Sequence, residues 1–215
     1  MQNILITGFT PFDGREVNAS WVAASSSNRE GINALEIPVV WGKPMRVLQS
    51  FCDNQCPQMI ISLGEGREGW FDIETIALNT RNERVDNEGK LPAGEPIIPG
   101  APDSISASIN AGVLQRGLAR HGYPIRISNN AGQFLCEETL FVLEHLRNRY
   151  QSLEKVLFCH LPPFGTSVHI RGESRTCDQS VLEDFTQALL RLSESPPDPS
   201  MPLEAARYQT PVVER

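Results

Sequence analysis

Cys136 lies where a small, polar stretch gives way to an apolar run with helical spacing, in SNNAGQFLCEETLFVLEHL at residues 128–146. The pattern predicts a helix over 133–149, with the thiol in or near its first turn. Free N–H groups and the helix dipole at that point stabilise a thiolate and can also hold an oxyanion. Glu137 and Glu138 suit a helix start but oppose a thiolate close to them. An inert, buried cysteine is the alternative.

His160 and Glu74 are the groups that could activate such a thiol. His160 ends the apolar run KVLFCH, just before the LPP turn, where an imidazole can act as general base and then as general acid. A capping or packing histidine is the alternative. Glu74 is flanked by apolar residues in DIETIALN, and a carboxylate buried in a strand must be paired or functional. An edge-strand residue that faces water is the alternative for Glu74.

The elements that position these groups alternate between short apolar runs and segments of helical spacing. This alternation predicts an α/β fold, with a mostly parallel twisted sheet and helices on both faces. In such folds ligands bind at the carboxyl ends of the strands. Strands are predicted at 3–7, 36–40, 58–63, 71–79, 124–128 and 155–160, and helices at 18–26, 44–51, 103–121, 133–149 and 180–192.

The length of 215 residues and a hydrophobic content of 40% fit one domain with a substantial core. We expect that domain to span residues 1–194, followed by a Pro-rich tail at 195–215. A Gly-, Pro- and Asn-rich segment at 81–102 is predicted to be an ordered functional loop.

The net charge and the lack of a targeting signal limit the classes of partner and the compartment that we expect for this protein. A net charge of −7 without a basic cluster argues against nucleic acid and anionic membranes. The N-terminal MQNILITGF has no positive leader, and no run approaches the roughly 18 apolar residues of a membrane span. Five cysteines without framework spacing then indicate a reduced, cytoplasmic protein.

Five stretches together resemble the pyroglutamyl peptidase I (pyrrolidone carboxyl peptidase) family of cysteine peptidases. The AGQFLC run around Cys136 is similar to the AGTFVCN segment around that family's nucleophile, and FCHLPPF corresponds to its HVPYLPEQ segment. The stretches follow the family's order along nearly the whole chain to about residue 192. The other three are ILITGFTPFDGREVNASW, DIETIALN and DNEGKLPAGEPIIPGAPDS.

The resemblance implies a nucleophile, a base and an orienting carboxylate at Cys136, His160 and Glu74. It further implies hydrolysis of an N-terminal pyroglutamyl residue from a short peptide or N-acyl amide, without metal or organic cofactor, in a protein that can form homo-oligomers. The implied substrate-binding residues are Phe9, Phe12 and Phe134, which would hold the flat lactam ring, and Arg84 near the site.

Some positions depart from the family pattern. Glu65 stands where many members carry glutamine, in a 64–74 segment that is one residue shorter, and Val39 replaces a common threonine. As an ionised pocket residue, Glu65 would weaken binding of a neutral lactam; turned to solvent, it would not. Two other functions therefore stay open: hydrolysis of another small N-acyl or cyclic amide, and a non-catalytic homologue that binds small molecules or peptides.

Overall fold

The computed structural model describes residues 3–94 and 96–194, so the predicted tail at 195–215 lies outside the described residues. Six strands form the main sheet, and two further pairs of strands form small sheets of their own. The strands are β1 (Ile4–Phe9), β2 (Ile32–Ile37), β3 (Met59–Glu65), β4 (Phe71–Glu74), β5 (Ile76–Leu78), β6 (Ser104–Ser106), β7 (Ile125–Ser128), β8 (Lys155–Leu161), β9 (Ser167–Ile170) and β10 (Glu173–Thr176). The helices are α1 (Ala19–Ser25), α2 (Lys43–Gln55), α3 (Ala111–Arg120), α4 (Leu135–Arg149) and α5 (Gln179–Glu194).

The main sheet has the order β2-β1-β3-β8-β4-β7. Strands β2, β1, β3 and β8 are parallel, whereas β4 runs antiparallel to β8 and β7 runs parallel to β4. Successive residues of β1 enter opposite cores, because side chains alternate along a strand. Ile4 and Ile6 pack with α1, α3 and α5, while Leu5 packs with α2 and α4. The predicted α/β fold with helices on both faces is therefore confirmed.

Several predicted element bounds are wrong. The second strand lies at Ile32–Ile37 rather than 36–40, since Pro38 has no N–H to donate to a ladder. The run 71–79 is divided at Thr75 into two strands, and the second of them, β5, pairs with β6. The helix predicted from residue 103 starts only after Asn110, whose side chain caps it by accepting the Val113 N–H at 3.1 Å.

The hairpin formed by β9 and β10 was not predicted at all. Its four pairs join residues 167–170 to 173–176 in an antiparallel ladder, and every residue of β10 is exposed. Such a strand has no apolar face to produce the alternation by which strands are recognised in a sequence. In the described part of the chain, no helix has both the length and the apolar character to cross a bilayer.

Helix α4, which carries Cys136, is buried around most of its circumference and holds β5 and two nearby loops through three buried glutamates. Glu137 accepts the Leu78 N–H at 2.7 Å, Glu138 accepts the Gly42 N–H at 2.7 Å, and Glu144 accepts the Ser108 N–H at 2.8 Å. These backbone groups would otherwise be deprived of both water and a partner. The helix therefore fixes the segments that enclose it.

Gly8 in β1 should be the glycine of the sheet least tolerant of a side chain. A Cβ atom there would lie 2.3 Å from Ser20 O and 2.6 Å from Trp21 N, because the backbone of α1 packs directly on β1. Overpacking of this kind costs about 1–3 kcal/mol, so Gly8→Ala should lower the free energy of unfolding by that amount. Urea unfolding followed by circular dichroism measures it.

The control is Gly112→Ala in helix α3, where the added Cβ would meet only side-chain atoms, the nearest being Arg116 Nη1 at 3.3 Å. Its stability should stay equal or rise by up to about 1 kcal/mol, because alanine favours the helix. Equal unfolding midpoints for Gly8→Ala and the wild type would contradict the close packing of α1 on β1.

Candidate active site

The structure brings Glu74 and His160 together across two neighbouring antiparallel strands. Glu74 Oε1 lies 2.8 Å from His160 Nδ1, and the Glu74 side chain is 1% exposed. The other oxygen, Oε2, is buried and has no hydrogen-bond partner among the described residues. The carboxylate therefore has one strong contact, which orients the ring so that Nε2 is the nitrogen left for other chemistry.

Cys136 and His160 meet over Gly64 of β3. A Cβ atom on Gly64 would lie 3.0 Å from Cys136 Sγ, and equally 3.0 Å from His160 Cδ2 and from Phe158 Cζ. The thiol and the imidazole thus both rest against bare backbone, and any side chain at this position would displace one of them. Gly64 is a requirement of the site that the sequence pattern did not reveal.

The charges around His160 favour its protonated form. Burial by itself lowers the pKa of the imidazole, but the negative charges of Cys136 and Glu74 and their hydrogen bonds outweigh it. Together they raise the pKa of His160 from its usual value of 6.5 to about 10. The arrangement can therefore hold an imidazolium beside Cys136 at neutral pH, and a neighbouring positive charge is one of the features that make a cysteine reactive.

Cys159 and Cys177 are buried and have a different environment from Cys136, which is partly exposed. Burial raises the pKa of Cys159 well above its ordinary value, and it raises that of Cys177 to about 12. Cys159 is fully buried in the core on the far face of the sheet, as expected for the neighbour of His160. Among these three cysteines, Cys136 is the one whose thiol makes a side-chain hydrogen bond with the imidazole of His160.

The start of α4 leaves room for an anion despite Glu137 and Glu138. Phe134, the N-cap residue, makes no side-chain capping bond to the N–H groups of the first turn. Glu138 forms a salt bridge to Arg81, with 2.7 Å between Oε2 and Nε. Burial raises the pKa of Glu137, in spite of the Leu78 N–H that its carboxylate accepts. The ion pair of Glu138 and the raised pKa of Glu137 therefore reduce the repulsion that the sequence predicts between these carboxylates and an anion at the start of α4.

An apolar cleft lies beside Cys136 and is lined by the three predicted aromatic residues, Phe9, Phe12 and Phe134, together with Val39. The Trp41 ring packs edge-on against Phe134, with 5.1 Å between the ring centroids. Flat, apolar walls of this kind suit a small planar ring. The cleft thus unites residues that are more than 120 positions apart in the chain.

Arg84 lies at the rim of this cleft. Its guanidinium stands 4.5 Å from the centre of the Phe134 ring and 5.6 Å from that of Phe12, and it forms an ion pair with Asp13. The loop that carries it is anchored by Asp86. Burial raises the pKa of that carboxyl, but the N–H groups of Lys90, Trp41 and Glu88 outweigh this and lower it. The 81–102 segment is thus tied to the site at this point.

Glu65 is buried in the wall of the cleft, with a side chain that is 1% exposed. It forms an ion pair with Arg15, and its Oε2 accepts the Ala19 N–H at 2.9 Å and the Phe164 N–H at 3.4 Å. The carboxylate is therefore neither turned to solvent nor left uncompensated in the pocket. Arg15 was missed by the sequence analysis, since nothing local to GFTPFDGREVNA indicates a partner 50 residues away.

A wider cleft of about 520 Å³ lies elsewhere, between the β9–β10 hairpin and α5. Its lining includes Tyr123, Arg171 and Arg175 but no cysteine, and so it has no thiol nucleophile. Within residues 3–94 and 96–194, no group of three or more His, Cys, Asp or Glu side chains is placed to hold a metal ion.

The pKa of His160 should fall when the thiol is removed. In Cys136→Ser the thiolate can no longer favour the imidazolium, so the ring should lose its proton at a lower pH than in the wild type. Nitrogen-15 NMR of labelled histidines between pH 5 and 10.5 measures this, with wild-type His160 still protonated at pH 8. Cys56→Ser, which removes the thiol just after the end of α2, should leave the titration unchanged. A wild-type ring that is already neutral at pH 8 would contradict the raised pKa of His160.

Comparison with known proteins places this chain in a family. A model of the pyroglutamyl peptidase family matches residues 2–189. The pyrrolidone-carboxylate peptidase of Erwinia tasmaniensis is 32% identical over 169 residues, which cover 75% of this chain and 78% of that protein. The crystal structure of Bacillus amyloliquefaciens pyroglutamyl peptidase I aligns with a TM-score of 0.77 and 26% identity, over 90% of this chain and 95% of the other. The chain belongs to the pyroglutamyl peptidase family.

Proposed function

We propose that this protein is a cysteine peptidase that removes an N-terminal pyroglutamyl residue from peptides. One observation carries the proposal: Cys136, His160 and Glu74 form a connected set beside an apolar cleft that is lined by aromatic rings. The family membership and the names of the relatives, which are pyrrolidone-carboxylate peptidases, support the same reaction.

Acylation begins when the Cys136 thiolate attacks the carbonyl carbon of the pyroglutamyl residue. Negative charge then develops on the carbonyl oxygen, and the N–H groups of the first turn of α4 are available to stabilise it. The imidazolium of His160 gives its proton to the leaving amine, the C–N bond breaks, and a thioester remains on Cys136.

Deacylation reverses the role of His160. The neutral ring accepts a proton from water as the water attacks the thioester, and pyroglutamate leaves while the thiolate and the imidazolium are restored. Glu74 holds the ring through Nδ1 in both steps and stabilises its positive charge. No group outside this set is required for the proton transfers.

The cleft suits a neutral lactam. Phe9, Phe12 and Phe134 give apolar surface for the ring, and the Arg15 charge compensates that of Glu65 in the wall. Because an uncompensated charge beside a neutral ligand costs desolvation energy, the ion pair removes an obstacle to binding. The glutamate at this position is thus compatible with pyroglutamyl substrates.

A panel of aminomethylcoumarin amides tests the proposal. The pyroglutamyl amide should be hydrolysed with a kcat/KM at least about 10-fold above that of the prolyl amide, which has the same ring size but lacks the ring carbonyl. Cys136→Ala should abolish the hydrolysis, which excludes a contaminating peptidase. Faster hydrolysis of another N-acyl amide would contradict the pyroglutamyl assignment, and no hydrolysis of any amide would contradict the enzyme.

The Arg15–Glu65 pair should act as one unit in substrate binding. Glu65→Gln and Arg15→Gln should each raise KM for the pyroglutamyl amide about 5- to 30-fold, with a smaller change in kcat. The reason is that each leaves the cleft wall without a charge-assisted bond of about 1–2 kcal/mol. The double variant should resemble either single variant, since the same interaction is lost. A lower KM in Glu65→Gln would instead mean that the carboxylate faces the substrate carbonyl.

A further inference from the structure

The register of the main sheet places four residues in one row across the site. Gly64 of β3 is the partner of His160 on β8, His160 is the partner of Asp72 on β4, and Asp72 is the partner of Arg126 on β7. Directly paired residues share a face of the sheet, and adjacent strands are about 4.8 Å apart. Arg126 thus stands two strands, about 10 Å, beyond His160 on the face that carries Cys136.

This row of paired residues indicates the direction in which a bound substrate crosses the sheet. The apolar cleft lies on the β1 side, where Phe9 ends the strand next to β3. If the pyroglutamyl ring binds there, as the proposed function requires, the scissile bond lies over Gly64 and His160. The leaving peptide then extends to the other side of His160, over β4 and β7.

That side carries an exposed cluster of an aromatic ring and two arginines. Arg126 binds Asp72 through two bonds, of 2.8 and 3.0 Å, and its guanidinium lies 4.6 Å from the centre of the Trp70 ring. Arg67 lies 3.5 Å from the same carboxylate, with 65% of its side chain exposed. Arg67, Arg126 and the buried Asp72 together have a net charge of +1, and Glu68 is exposed next to Arg67 in the same loop.

The loop that carries Arg67 and Trp70 is tied to the catalytic histidine. Gly66 donates its N–H to Leu161 O at 2.8 Å, and a Cβ atom on Gly66 would lie 2.8 Å from His160 Cβ. The backbone at Gly66 therefore lies against the Cβ atom of His160. The cluster thus begins directly beside the position of the leaving group. Trp70 remains 41% exposed, although it is a large apolar residue.

We propose that Arg67, Trp70 and Arg126 form a subsite for the leaving peptide that binds a carboxylate two residues after the pyroglutamyl group. Two extended residues span about 7 Å, which brings such a carboxylate within the length of an arginine side chain from the Arg126 strand. The carboxylate is either the C-terminus of a tripeptide or an acidic side chain. Both are anions that a guanidinium binds, and the Trp70 ring offers an apolar surface to the intervening side chain.

Two matched pairs of tripeptides test the subsite in the full-length protein. Pyroglutamyl-Ala-Ala is compared with its C-terminal amide, and pyroglutamyl-Ala-Glu amide with pyroglutamyl-Ala-Gln amide. The anionic member of at least one pair should have a kcat/KM about 2- to 5-fold higher at low salt, as expected for exposed ion pairs. The pair that shows the preference identifies the source of the carboxylate, and 0.5 M NaCl should abolish it.

Variants of Arg67 assign the preference to the cluster, since this exposed side chain is not needed for packing. Arg67→Gln should bring the ratio close to 1, and Arg67→Glu should reverse it. Arg120→Gln, which removes the same charge from α3 on the other face of the sheet, should keep the wild-type ratio. A ratio of 1 in the wild type, or one that Arg67→Glu does not change, would overturn the subsite.

The two proposals fail in different ways. Hydrolysis of all four tripeptides at equal rates would leave the pyroglutamyl peptidase assignment intact and reject only the subsite. No hydrolysis of any pyroglutamyl peptide would reject the proposed function itself, and the subsite with it.

Discussion

The burial of helix α4 is the constraint on which the site depends. The helix carries Cys136 and packs against the sheet on one side and the segment from β5 to β6 on the other. Backbone N–H groups of β5 and of the surrounding loops reach the helix where water is excluded. Glu137, Glu138 and Glu144 accept hydrogen bonds from them, and loss of such a partner costs about 1–3 kcal/mol for each buried group. Carboxylates in the core therefore serve to fix the loops around the thiol.

The direction of β4 is the second condition for the site. Because β4 runs antiparallel to β8, Asp72 is paired with His160, and Glu74 lies on the same face two residues further along. From there its carboxylate reaches Nδ1 of the imidazole at 2.8 Å. The same register brings Arg126 into the row beyond Asp72. One reversal of strand direction thus supplies both the orienting carboxylate and the cationic cluster of the proposed subsite.

Compensation of charge is a recurring feature of this site. Glu65 is matched by Arg15, Glu138 by Arg81, and Asp72 by Arg126, and each of these carboxylates is almost completely buried. Glu74 differs from these three, because its partner is a histidine; like Glu137, it has one oxygen without a hydrogen-bond partner among the described residues. Its negative charge therefore acts mainly on the imidazole, where it helps to maintain the raised pKa of His160.

Local signals in the sequence were sufficient for much of this protein. The short β-branched run of β1 and the apolar KVLFCH run predicted strands that the structure confirms, and helical spacing placed Cys136 in the first turn of α4. These features depend on side-chain periodicity and on the ends of single elements, which neighbouring residues decide. The candidate set of Cys136, His160 and Glu74 could be selected in the same way, since each stands at a chemically unusual point of one element.

The remaining features depend on pairs that are far apart in the chain. These features join residues about 30 to more than 90 positions apart. They are the direction of β4, the division of 71–79 at Thr75, the Arg15–Glu65 ion pair and the row from Gly64 to Arg126. A carboxylate in a sequence shows that it needs a partner if it is buried, but it does not show which cation or N–H group will reach it. That choice was made by tertiary structure, because only packing decides which strands become neighbours and which backbone groups lose water.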